Sequence, residues 1–279
     1  MPPFHLHPIL LTALVVAGTL HVWFARERRR RWLALGGWIE LALVVLWPVG
    51  DLAASVSLSV ATLQRLVIML GVAPLFIAST STEQLVALTR SPVVDFATRR
   101  LAHPALALVL VTVVGTLTLS TPVVDAGATS TLARTLTLGA VLWCGVVLWI
   151  PALGVMPGAR RLSPVGRAAF IFISSLVVTS LSFVWIFARH SLYPSLHDQQ
   201  SLLHITPLLD QQLAGFVAKI GSYLPMWAVT FTIFSRADEA GVAVEESPLH
   251  WADVERQLLR VDRRRVRSRR HGGTGKDVA

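Results

Sequence analysis

The chain has 279 residues, of which 53% are hydrophobic and only 15% are charged, and its formal net charge is +9 at pH 7. Soluble globular domains carry about 25% charged residues, so this composition excludes an ordinary water-soluble fold for most of the chain. The basic residues are almost all arginines, and they lie beside apolar stretches, which is typical of membrane topology. We therefore expect membrane lipids, including anionic headgroups, as partners of these arginines, and not nucleic acid.

Seven apolar stretches approach or reach the length of about 20 residues that a helix needs to cross a bilayer. In chain order they are Ile9–Ala25, Trp32–Gly50, Leu58–Ser79, Ala105–Val124, Thr135–Val155, Ala168–Ala188 and Leu213–Phe234. The sequence therefore predicts an all-α fold, a polytopic membrane protein in which residues 1–235 form a bundle of seven transmembrane helices.

Basic and non-basic connections alternate along the chain. Arginines follow the first, third and fifth stretches and the segment after the seventh is strongly basic, whereas the other connections hold few basic residues. Because positive charge is retained on the cytoplasmic side, the pattern predicts an N-terminus outside and a C-terminus inside (N-out/C-in). No basic residue precedes the first stretch, so we expect it to be kept as a helix. The predicted location is the bacterial plasma membrane.

Residues 236–279 are predicted to form a basic cytoplasmic tail. Ser247-Pro248 is typical of a helix start, and apolar residues then recur every three or four positions from Trp251 to Val261. This pattern predicts an amphipathic helix on anionic lipid, followed by disorder from Val266. Docking of the tail to a protein partner is the alternative.

Three ionisable residues, Glu40, Arg65 and Lys219, fall inside predicted spans. Each is about eight residues, or roughly 12 Å, from a helix end, where an unpaired charge costs about 2.5–3.5 kcal/mol or more. We expect Glu40 to face the bundle interior and to pair with Arg65 or Lys219. A functional polar path and a purely structural ion pair both remain open.

Histidines on the predicted outer side are the candidate metal ligands. They are His5, His7, His190, His197 and His204. Neutral imidazole suits copper or zinc, although the same set is compatible with ordinary surface histidines. The motifs of nucleotide-binding folds, zinc proteases and serine hydrolases are absent from the sequence, so we do not expect an enzyme.

The segment Leu208–Gly215 reads LLDQQLAG. Through Asp210, Gln211, Gln212 and Gly215 it resembles the DQQ-x-x-G signature of the CtaG family of cytochrome c oxidase assembly factors. Further similarities follow in matching order between Trp38 and Phe234: Trp47-Pro48 with Asp51, Gln64 before Ala73-Pro74-Leu75, Leu142-Trp143, and Leu192-Tyr193-Pro194. The resemblance implies a multi-helix membrane protein that assists maturation of haem–copper oxidases through copper delivery on the outer face, with oxidase subunits as partners.

The chain departs from the family pattern where copper would bind. The family's third helix carries H-x-x-Q-H, whereas this chain has Ala61, Gln64 and Arg65 at those positions. Its last helix has Lys219 in the stretch where relatives carry a methionine. The resemblance thus implies a divergent member that has lost this metal site. Asp210 is expected either to cap the last helix or to form a polar platform at the outer mouth of the bundle.

The leading hypothesis is a membrane-embedded accessory or assembly factor for respiratory cytochrome c oxidase, with copper as the candidate metal. A structural subunit of a respiratory complex is one alternative, since the usual copper ligands are missing. A transporter of small solutes or ions is the other, with Glu40, Arg65 and Lys219 along its path.

Overall fold

The structure is a computed structural model in which residues 8–25, 27–157, 161–193 and 205–245 are described, and these residues form helices with no strand among them. Helices are expected here because each one satisfies its own backbone hydrogen bonds, which an apolar environment requires. The chain separates into two compact units, residues 1–234 and 235–279, and the site described below lies in the first. The predicted tail helix and the segment after it lie outside the described residues.

The helices, numbered in chain order, are α1 Pro8–Phe24, α2 Arg28–Val45, α3 Val49–Ser55, α4 Leu58–Leu66, a π-helix Val67–Val72, α5 Ala73–Ser79, α6 Thr82–Leu88, α7 Pro92–Leu101, α8 Pro104–Leu117, α9 Thr121–Thr129, α10 Thr131–Leu153, α11 Pro164–Val177, α12 Leu181–Ile186 and α13 Pro207–Glu245.

Four helical segments of the described chain are long and apolar enough to cross a membrane. They are Leu58–Ser79, Thr131–Leu153, Pro164–Ile186 and Pro207–Ala237. The pair α7–α8, bent by 88°, would make a fifth span if it acts as one. The protein is therefore an all-helical membrane protein with four to five candidate spans, and the count of seven and the N-out/C-in orientation remain predictions.

The remaining predicted spans are helical but short or broken. Helix α1 is apolar and has 17 residues. The second predicted stretch divides into α2 and α3 at Trp47-Pro48, whose peptide bond is cis. The fourth divides into α8 and α9, because a new helix begins at Thr121 with Pro122 in its first turn, a position where the missing N–H has no helical partner to lose.

The π-helix in the third span follows from Pro74. At the end of the π-helix the Ala73 N–H donates to the Ile68 carbonyl, five residues back. In that register the Met69 carbonyl would accept from residue 74, but proline has no N–H. The indole N–H of Trp149 on α10 donates to the Met69 carbonyl instead, at 3.0 Å.

Helix α10 lies close enough to the π-helix for Trp149 to reach the Met69 carbonyl. A Cβ on Gly145 would lie 2.7 Å from the Ala73 Cβ and 2.9 Å from the Met69 carbonyl oxygen, so only glycine allows the contact. The main apolar core surrounds this contact between α10 and the third span. It includes Val111, Leu148, Ile171 and Met226.

Trp149→Phe is expected to lower the free energy of unfolding by about 1–2 kcal/mol, because it leaves the half-buried Met69 carbonyl without this donor. Denaturation of the purified protein in detergent measures the effect. Trp143→Phe is the matched control, since Trp143 is 40% exposed and should tolerate the change. Equal effects of the two substitutions would contradict the assigned role of Trp149.

Hydrogen bonds and an ion pair join the chain segments at each end of the third span. At the Leu58 end, Asp210 contacts Ser57 at 2.8 Å and Arg134 lies 3.9 Å from Asp51; we call this the Asp210 end. At the Ser79 end, Arg30 donates to the Thr80 carbonyl; we call this the basic end.

Candidate functional site

Asp210 joins the first turn of α13 to the N-terminus of α4. Its side chain is fully buried, and its carboxylate accepts hydrogen bonds from Ser57 Oγ at 2.8 Å, the Leu58 backbone N–H at 2.6 Å and Ser59 Oγ at 2.6 Å. The Ser59 backbone N–H donates to the same carboxylate at 3.3 Å, and the Ser59 hydroxyl also lies 2.8 Å from the Asp210 backbone carbonyl oxygen. The free N–H groups at a helix N-terminus carry partial positive charge, so α4 supplies the stabilisation that a buried carboxylate needs.

Both interpretations of Asp210 from the sequence need correction. Its carboxylate caps α4 and not its own helix, whose first turn is capped by Thr206, where Oγ1 accepts from the Leu209 N–H at 3.2 Å. Asp210 and Gln211 are 0% and 1% exposed, so they do not form an open polar platform.

The two glutamines of the motif attach α13 to the segment that follows α12. Gln211 Oε1 accepts from the Leu192 backbone N–H at 2.8 Å, and Gln212 Nε2 donates to the Ala188 carbonyl at 3.3 Å. The motif therefore holds the residues after α12 against the start of α13.

Gly215 completes the motif by close packing. A Cβ at this position would lie 2.7 Å from Ile186 Cγ1 and 2.8 Å from the Ser182 carbonyl oxygen of α12. One turn of α13 thus packs directly on the backbone of α12. The DQQ-x-x-G segment therefore holds the start of α13 against α4, α12 and the segment after α12.

Tyr193 fastens the same end to α8. Its hydroxyl donates to the Leu119 carbonyl at 2.8 Å and accepts from Trp185 Nε1 at 3.1 Å. Burial raises the pKa of the Tyr193 phenol, so the proton that this bond requires is retained. Leu58 and Ala214 pack beside the two rings in a small apolar cluster.

Arg65 does not form the expected ion pair. Its guanidinium donates to Thr118 Oγ1 at 3.0 Å and to the Thr118 carbonyl at 2.8 Å. Thr118 ends α8, and the free carbonyls of a helix C-terminus carry partial negative charge. The cation is therefore stabilised by a helix end.

Lys219 also has no carboxylate partner among the described residues. Its Nζ donates to Thr179 Oγ1 at 3.0 Å and lies 4.2 Å from the ring centre of Phe183 and 5.0 Å from that of Tyr223. Aromatic faces attract cations, so these rings and one hydroxyl replace the predicted ion pair.

Glu40 lies apart from both cations. Its carboxylate packs against Gly71 in the π-helix so closely that a side chain at that position would have to displace it. Gln64, which lies next to Arg65 in the third span, is 6% exposed and donates to the Val44 carbonyl at 2.7 Å. Among the described contacts, the polar residues that the sequence placed inside the membrane therefore bind other partners and not one another.

No group of three or more histidine, cysteine, aspartate or glutamate side chains that could hold a metal occurs among the described residues. Of the predicted outer histidines, His190 is described and is exposed; the other four lie outside the described residues. His21 is engaged in packing, since its Nδ1 accepts from Trp38 Nε1 at 3.1 Å and its Nε2 lies 3.1 Å from Ser79 Oγ.

The bundle interior does not fit copper. Cys144, Met69 and Met226 line a cavity between the helices and carry the soft sulfur atoms that Cu(I) prefers. Arg65 lines the same cavity, and its permanent positive charge opposes a metal cation there.

Sequence reasoning missed most partners of the motif residues. Ser57 and Ser59 precede an apolar run, which is a recognisable helix-start signal, but nothing local links them to Asp210. Thr118 binds Arg65 through both its hydroxyl and its carbonyl, and no local sequence signature identifies it as the partner.

These features define an all-helical membrane protein whose helix ends are joined by buried polar side chains. The family model of the cytochrome c oxidase caa3 assembly factors (Caa3_CtaG) matches residues 6–238 of the chain. The chain belongs to this family. No curated protein and no solved structure matches it.

Proposed function

We propose that this protein assists the assembly of a caa3-type cytochrome c oxidase in the bacterial plasma membrane, without catalysing a reaction. The family match over residues 6–238 carries this proposal, because it includes the whole motif from Asp210 to Gly215 and the helices that the motif joins. The motif residues hold helices of the bundle together, as expected of a scaffold for partner subunits.

The Asp210 end faces the outside in this proposal, with seven spans and an external N-terminus. The alternation of basic connections supports this orientation, as does the grouping of the Ser57, Asp51 and Leu192 segments at one end.

Single-cysteine labelling tests the orientation. Cys144 is the chain's one cysteine and is buried, so Cys144→Ala gives a clean background. In that background an impermeant thiol reagent should label Thr129→Cys in intact spheroplasts and Thr82→Cys only after lysis. The reverse pattern would invert the topology.

Copper would be handled as cargo on the outer face, through His190 and the four histidines outside the described residues. Neutral imidazole suits copper, and the cations Arg65 and Lys219 disfavour a copper site inside the bundle. Copper titration of the purified protein should give a dissociation constant of about micromolar or tighter that weakens when the five histidines are replaced. Unchanged binding in that variant would contradict copper delivery by these residues.

Purification of native complexes distinguishes an assembly factor from a structural subunit. An assembly factor should associate with incomplete oxidase and leave the finished enzyme. Co-migration with mature oxidase at fixed stoichiometry would instead identify a structural subunit.

A further inference from the structure

A small cavity of about 90 Å³ lies inside the bundle, between α4, the π-helix, α8, α10, α11, α12 and α13. It has room for a few water molecules or a small ion with part of its hydration. Its lining is mostly apolar, with Leu66, Val141 and Met226 among the contributors. Arg65 and Ser174 also line it.

The hydroxyl groups around the cavity are mostly committed as donors to backbone carbonyls. These are the hydroxyls of Thr62, Thr179, Ser182 and Ser222. Ser174 differs, because it is 0% exposed and its Oγ has no hydrogen-bond partner in the described part of the chain. A buried hydroxyl without a partner carries an energetic cost, so its proton is available to a bound group.

Arg65 provides charge and further donors to the same space. A guanidinium has five N–H groups, and two of the Arg65 nitrogens contact Thr118. The ion pairs between described residues involve other side chains. The cavity therefore presents a positive charge and uncommitted donors without a matching anion.

We propose that this cavity binds a small monovalent inorganic anion of halide size, held by the Arg65 guanidinium and the Ser174 hydroxyl. Charge-assisted hydrogen bonds from such donors are among the stronger ones in proteins. The small apolar cavity excludes lipid headgroups and multiply charged anions, which need more donors than it offers. This site goes beyond the assembly role and does not depend on it.

Bromide is the probe, used with the full chain purified in detergent. Crystals grown in sodium bromide should show an anomalous peak within hydrogen-bond distance of Arg65. The melting temperature should rise with bromide relative to gluconate at equal ionic strength. Ser174→Ala should weaken bromide binding about tenfold, as expected for loss of one hydrogen bond to a charged group.

Ser175→Ala is the matched control. Ser175 is also 0% exposed, but its hydroxyl donates to the Phe172 carbonyl at 2.7 Å, and bromide binding should be unchanged. Arg65→Gln should abolish binding; if that variant does not fold, the anomalous map and the two serine variants decide. Water alone in the cavity of the folded protein, or equal bromide affinity in wild type and Ser174→Ala, would overturn the proposal.

Discussion

Replacement of Asp210 by alanine is expected to lower the free energy of unfolding by about 3 kcal/mol or more. The substitution removes the acceptor of the Leu58 and Ser59 N–H groups and of both serine hydroxyls. These donors are buried or half-buried, so water does not fully replace the carboxylate. Equilibrium denaturation in detergent measures the loss, and a lower yield of folded protein should accompany it.

Gln212→Ala is the control for the Asp210 experiment. Its amide makes one bond of 3.3 Å to the Ala188 carbonyl, and we expect a change below about 1 kcal/mol. Asp210→Asn should resemble Asp210→Ala more than wild type, because its amide N–H₂ would face other donors and the charge is lost. A stability of Asp210→Ala within about 1 kcal/mol of wild type would show that α4 does not depend on this cap.

Gly215→Ala is expected to destabilise the bundle by about 1–3 kcal/mol. The added Cβ would lie 2.8 Å from a backbone oxygen, that of Ser182, and 2.7 Å from Ile186 Cγ1. A backbone atom cannot rotate away as a side chain can, so α12 and α13 must separate. The shift should also loosen the Gln211 and Gln212 contacts with the segment after α12.

Gly139→Ala in α10 separates packing from helix propensity. A Cβ at Gly139 meets nothing within 4 Å, so the same substitution should be neutral or stabilising by up to about 1 kcal/mol. Melting temperatures of the two variants in one detergent make the comparison. Similar behaviour of the two would mean that α12 and α13 do not pack as closely as described.

Apolar length predicted the long helices well. The predicted span Leu58–Ser79 coincides with a candidate span of the structure, and Thr135–Val155 differs from Thr131–Leu153 only at its ends. The breaks near Pro48 and Ser120 were missed, because the surrounding sequence stays largely apolar where one helix ends and the next begins. Apolar length does not report such interruptions of the helix.

The polar contacts were less predictable. An opposite charge was expected for Arg65, whereas its partner is the C-terminal end of α8, which carries a fractional negative charge of about one half. Asp210 likewise takes its partner from α4, more than 150 residues away in sequence. Backbone groups at helix ends become visible as partners only once the helices are assembled.

The family resemblance seen in Asp210, Gln211, Gln212 and Gly215 was confirmed by the match over residues 6–238. The structure adds the reason why these residue types occur together: they join the start of α13 to α4, to α12 and to the segment after α12. What it changes is the interior, where Arg65 and Lys219 have separate partners and Glu40 pairs with neither.

The amount of active cytochrome c oxidase in membranes of a strain lacking this chain tests the central proposal most directly. We predict a large loss of oxidase activity and of haem a absorbance, restored by the wild-type gene but not by Asp210→Ala. Restoration by added copper would assign the defect to copper delivery. Full oxidase activity in the strain without the chain would contradict the proposed assembly role.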